Sequence, residues 1–131
     1  MSLSTPARPD LAAYEEATRA SKNAVVTQLR DLLGVRLVAV IAGVKETRAV
    51  HEWADSDRPI RTPGVEVRLR TALQAARMIS DAESSVVAQS WMQGLNPTLN
   101  DQSPARVLRE GDIDEDGASV LAAARAFAGI G

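Results

Sequence analysis

SWMQGLNPTLNDQSPARVLREGD, Ser90 to Asp112, reads as the end of one helix, a tight connection and the whole of a second helix. Gly94-Leu-Asn-Pro is a helix stop, because glycine favours leaving the helix and proline cannot donate to the i→i−4 ladder. Ser103-Pro104 is an N-cap followed by a first-turn proline: the hydroxyl accepts a free backbone N–H, and proline has no N–H to leave unpaired. Gly111 ends this short helix after Glu110. Helical stop and start signals with no apolar–polar alternation between them predict an all-α fold.

The same pattern extends in both directions. Upstream, Ser84 or Ser85 caps a helix in which Val87, Trp91 and Leu95 recur every four residues, so Trp91 and Leu95 are expected to pack on Val107, Leu108 and the last helix. Together with Pro97, Pro104 and Leu108 they form the expected scaffold of this part of the chain. From about Gly64 to Asp81, Val65, Leu69, Leu73, Ala76 and Ile79 form one stripe. Ser56 to Pro63 carries two prolines and reads as a loop. A helix from Glu46 or Thr47 to Asp55 turns Val50 and Trp53 inward, and one from Arg36 to about Ala42 turns Leu37, Val38 and Ile41 inward, with Gly43 between them. Pro9 opens a single helix running to Leu33, where Gly34 stops it. Downstream, a last helix from Glu115 to Ala128 carries Val120, Leu121, Ala124 and Phe127. The expected architecture is a compact multi-helix bundle: a disordered lead-in over 1–9, a helix-turn-helix-like part over 10–81 and a small helical domain over 82–131.

Composition agrees. Hydrophobic residues are 45% of the 131 but aromatics only 3%, so the core is aliphatic and alanine-rich, which suits closely packed helices better than sheets. The absence of cysteine removes disulfides and thiolate chemistry. No apolar run approaches the roughly 18 residues of a membrane span, and MSLSTPARPD lacks the pattern of a signal peptide. The expectation is a soluble, cytoplasmic protein without membrane contact. Charge is divided: Arg30 to Arg70 holds eight bases and six acids, whereas Thr71 to the end holds four bases and eight acids. Such a split points to different partners for the two parts, or to solvated helix faces.

Catalytic and metal-binding patterns are not visible. His51 is the single histidine and has no carboxylates at ligand spacing. Asp112-Ile-Asp-Glu-Asp-Gly lacks the spacing and closing glutamate of a calcium loop, and its carboxylates suit the positive end of the last helix instead. The glycines do not cluster into a phosphate cradle, and there is no G-x-S-x-G. No enzyme activity and no cofactor are expected. The segment RLVAVIAGVKETRAVHEW, Arg36 to Trp53, does have the outline of a helix-turn-helix, with Ala39 allowing close approach and Gly43 making the turn. In that reading Lys45, Thr47, Arg48 and His51 face DNA, and Arg58 and Arg61 meet phosphates. The acids Glu46, Glu52, Asp55 and Asp57 oppose it, and an ordinary three-helix core remains the other reading.

From Trp91 through Asn96-Pro97, Leu99, Ser103-Pro104 and Val107-Leu108 to Gly111, the tract resembles the C-terminal toxin-binding domain of the MbcA/ParS/Xre-type antitoxins. The likeness is close over roughly 82–127, and the helix-turn-helix-like region ahead of it extends it to most of the chain. The resemblance implies a homodimeric antitoxin that inhibits a cognate RES-type, NAD-consuming toxin and represses its own operon by binding operator DNA. It further implies that the last helix and C-terminus occlude the toxin's active-site entrance, with Arg125, Phe127 and Ile130 as contacts. A plain DNA-binding regulator, or a dimeric interaction protein without a toxin partner, is the alternative.

Overall fold

In the computed structural model, which describes residues 9–130, the chain folds into eight α-helices and one 3₁₀ turn. They are α1 (Pro9–Arg19), α2 (Lys22–Leu33), α3 (Val35–Ala42), α4 (Thr47–Asp55), α5 (Val65–Ala82), α6 (Ser85–Gln93), α7 (Pro104–Glu110) and α8 (Glu115–Phe127), with the 3₁₀ turn at Pro97–Leu99. The all-α class expected from the sequence is observed. The one β-type pairing among the described residues is an isolated bridge between Asn96 and Gln102. The lead-in expected over 1–9 lies outside the described residues, apart from Pro9 at the head of α1.

α5 is the axis of the molecule. Val65, Leu69, Ala72, Leu73, Ala75, Ala76, Met78 and Ile79 are all buried, too wide an arc for a helix with one covered face. Its neighbours are α1, α2, α3, α6, α7 and α8, and the alanines at 72, 75 and 76 leave room for them to approach closely. One apolar cluster runs from Ala13 to Ala124, so the core is continuous across the expected boundary at 81–82.

The single helix expected from Pro9 to Leu33 is two helices. Ser21 is extended (ψ 160°) and its hydroxyl accepts from the Ala24 N–H, which starts α2 afresh. Across the break, the Arg70 guanidinium on α5 donates to the carbonyls of Ala17 (2.9 Å) and Ala20 (2.7 Å). The periodicity of the stretch hid the break because a capping serine resembles any polar surface residue.

That arrangement recurs. Arg68 donates to the Ala42 carbonyl (3.2 Å) at the end of α3, and the Lys22 ammonium donates to the carbonyls of Trp53 (2.9 Å) and Ser56 (3.0 Å) at the end of α4. Three helix C-termini are therefore closed by a cation from another helix, which pairs orphan carbonyls and opposes the helix dipole. A further polar tie joins the first and last helices: the Arg125 Nε on α8 lies 3.4 Å from the Asp10 carboxylate on α1, whose side chain is only 8% exposed.

The acidic run before α8 is a cap. Asp112 Oδ1 accepts the N–H groups of Asp114 (2.8 Å) and Glu115 (3.3 Å), while Asp116 Oδ2 accepts the Asp112 N–H (2.7 Å). This reciprocal pair is a variant of the capping box. It also explains Gly111, where any Cβ would collide with the Asp116 side chain and the Val107 carbonyl.

Candidate functional site

α6 decides which apolar side chains reach the core. Ser84 caps it, accepting from the Val87 N–H (3.2 Å), and Ala88 and Met92 are its fully buried residues. The stripe expected to be inward, Val87, Trp91 and Leu95, lies one position off this axis. Val87 and Trp91 are half-buried, and Leu95 is 77% exposed because the helix ends at Gln93 and Gly94 takes the chain out extended. Leu99, at the end of the 3₁₀ turn, is buried instead.

The result is an apolar face on the outside of the protein. Val86 (69% exposed), Leu95 and Phe127 (49% exposed) surround Trp91, whose ring centroid lies 6.4 Å from that of Phe127 in a tilted arrangement. With Val87, Ser90, Gly94 and Asn96 they line an open hollow of about 340 Å³. Two of the chain's four aromatic residues stand here, although aromatic rings are the side chains with most to gain from burial.

The loop that gives Asn96 to the hollow is tied to itself by hydrogen bonds. Asn96 Oδ1 accepts from both the N–H and the hydroxyl of Thr98 (3.0 and 2.7 Å), and the Asn96 carbonyl accepts from Leu99 and Asp101. Asn100 and Asp101 close the loop with φ of 57° and 60°, a left-handed pair that Asn and Asp tolerate better than other non-glycine residues. Pro97 sits exposed at the start of the turn, whereas Pro104 and Leu108 are buried in α7. Of the five expected scaffold residues, then, Pro104 and Leu108 lie inside, Trp91 lies at the edge, and Leu95 and Pro97 face outward.

The three residues that the resemblance points to on the last helix have separate surroundings. Phe127 is on the apolar face. Arg125 is engaged with Asp10 and holds α8 to α1, and Ile130 is half-buried against the core. Val86, absent from the sequence-based set, is among the most exposed apolar side chains of the face. Its position just before Val87 on a half-buried helix was the signal available.

The α3–α4 region is built differently. Gly43 turns the chain in the left-handed conformation (φ 79°), and α4 packs on α2 and α3 through Val50 and Trp53. Lys45, Arg48, His51, Arg58 and Arg61 are exposed and Thr47 is half-exposed. Several of these groups already have partners. Glu52 receives Arg58 (2.7 Å) and Arg48 (2.8 Å), and the two hydrogen bonds hold its carboxyl below the ordinary range, Arg58 contributing most. Arg30 on α2 forms a two-point pair with Asp55 (3.0 and 3.1 Å) and also donates to His51 Nδ1 (3.0 Å). That pair lowers the Asp55 pKa and raises that of Arg30, in both cases chiefly through the hydrogen bond. Cations and carboxylates thus alternate over the exposed side of α4.

Among the described residues no helix is long and apolar enough to cross a membrane, and no group of three or more His, Cys, Asp or Glu side chains could hold a metal ion. In comparisons with known proteins, no family model, no curated protein and no solved structure matches the chain.

Proposed function

We propose that this chain is an antitoxin-like binding protein, which inhibits a RES-type, NAD-consuming toxin by seating the Val86–Trp91–Leu95–Phe127 face against it. The observation that carries the reading is the half-buried Trp91 beside the exposed Phe127, Val86 and Leu95 in an apolar hollow. Interfaces draw their affinity from a few rigid aromatic anchors, and an apolar face of this kind on a small protein marks an interaction site. Of the three contacts that the resemblance implies, Phe127 lies on this face, whereas Arg125 pairs with Asp10 and Ile130 packs against the core. The role is one of binding, since Ser90 and Asn96 are the hollow's only polar side chains and neither is paired with a base.

The test is coexpression with the product of the adjacent gene. That product alone should arrest growth, and the pair should grow and copurify. A neighbouring product that is harmless, or that does not bind, overturns the proposal.

DNA binding through α4 is the second reading. In its favour are the α3–Gly43–α4 arrangement and the exposed Lys45, Arg48 and Arg61. It requires a mobility shift of the chain's own promoter fragment that weakens steeply as salt is raised. A shift no stronger than that of an unrelated duplex removes sequence-specific repression from the proposal.

A further inference from the structure

Two hollows lie along the same flank of α8. The apolar one meets the helix at Phe127. The second, of about 380 Å³, meets it at Asp116 and Ser119 and is completed by Thr98, Gln102, Arg106 and Glu110. At 100° per residue, positions 116, 119 and 127 fall within an arc of about 80°, so both hollows open on one side of the helix. The Asn96–Gln102 loop stands between them, giving Asn96 to the apolar hollow and Thr98 to the polar one. Asp116 and Phe127 are three turns apart, about 17 Å.

The two ends differ in charge as well as polarity. The lining of the polar hollow carries Glu110 and Asp116 against one guanidinium, Arg106, which is paired with Glu110 (3.0 Å), and the exposed Asp112, Asp114 and Glu115 neighbour it in sequence. The lining of the apolar hollow carries no charge. The described residues present no sheet edge to which an extended segment could hydrogen-bond. A helix pairs its own backbone groups and so needs no such edge to lie here.

We propose that this flank of α8 is a two-ended groove for an amphipathic helix of the protein partner. Bulky apolar side chains of that helix fill the Trp91–Phe127 hollow, and its lysine or arginine side chains lie three turns away against the Glu110–Asp116 end. The inference rests on the binding role proposed above and specifies the partner's chemistry. Charge complementarity sets the direction of the helix, and the aromatic hollow supplies most of the affinity.

The experiment uses the full chain and a synthetic helical peptide of 18 residues with leucines at one end and lysines three turns on, labelled for fluorescence anisotropy. A matched peptide has glutamates in place of the lysines. The lysine peptide should bind at least tenfold more tightly at low salt, with the gap narrowing as salt is raised. Leu95→Lys should abolish binding of both peptides, and the double variant Glu110→Lys/Glu115→Lys should remove or reverse the preference. All of these positions are exposed, so unchanged thermal unfolding is the check that the variants fold. Equal binding of the two peptides, or a preference that survives the charge reversal, overturns the groove. So does a wild-type dimer that Leu95→Lys dissociates, because a second copy would then occupy the hollow. No toxin enters this assay, so its failure leaves the antitoxin reading standing, and a toxin that fails to bind leaves the peptide result intact.

Discussion

The α6–α8 face and the α4 face are both exposed, yet one is left unsatisfied and the other satisfies itself. On α4, Glu52 gathers Arg48 and Arg58, and Arg30 gathers Asp55 and His51. On the α6–α8 face, Val86, Leu95 and Phe127 have no apolar cover comparable to their size. Charged side chains can pair with neighbours or water where they stand, whereas apolar area is relieved only by being covered. A face of the second kind has more to gain from a partner, which is why we place the proposed partner on α6–α8.

The largest effect expected to sharpen this contrast comes from Leu95→Lys. Partner affinity should fall by about 100-fold, equivalent to roughly 2.7 kcal/mol, while the thermal midpoint barely moves, because the side chain is 77% exposed. Titration calorimetry against the copurified partner measures it, and undiminished affinity would place the interface elsewhere. Next comes Asp10→Asn, which breaks the tie between α1 and α8. With Arg125 37% exposed, the loss should be modest, about 1 kcal/mol in urea denaturation. A drop in partner affinity without any loss of stability would instead assign Arg125 to the interface.

Two further measurements bear on the α4 side. Glu52→Gln should free Arg48 and Arg58 and raise affinity for nonspecific duplex about fivefold at low salt, as read by anisotropy. If affinity stays flat, the Glu52 carboxylate does not govern the attraction of this face for DNA. The smallest effect concerns acid. The Asp55 and Glu52 carboxyls are held below their ordinary values by their arginines, so the stability they contribute is fully present above the ordinary carboxylate pKa of about 4 and is lost as pH falls through the lowered folded values. Protection of α4 amides, taken relative to the intrinsic exchange rate at each pH, should therefore fall in the wild type as pH drops below about 4. Asp55→Asn should already exchange faster at neutral pH and lose the part of the acid dependence that belongs to the Arg30 pair. An identical profile in the two proteins would remove that pair from the account.

Much of the fold was legible in residues whose effect is local. Gly34, Gly43, Ser84, Ser103-Pro104 and Gly111 act on their own turn of backbone, and the boundaries they imply agree with the observed helices to within a residue or so. The stripe from Val65 to Ile79 was equally plain, because a helix buried on nearly every side has no wrong face to choose. The candidate site was legible as a tract rather than as a surface. Trp91 and Leu95 drew notice, but as scaffold, because spacing says which residues share a face and not whether that face is covered.

By itself, then, the sequence determined the helical class, most helix limits and the central apolar helix, all of which follow from interactions within a few residues. Only the tertiary structure decided that Met92 and Leu99 go inward while Trp91, Leu95 and Phe127 form an outer face. It also decided that Arg68, Arg70 and Lys22 close other helices, and that Asp10 holds Arg125. These outcomes depend on groups up to the length of the chain apart, and no local pattern encodes which distant element will arrive to cover a side chain or take its charge.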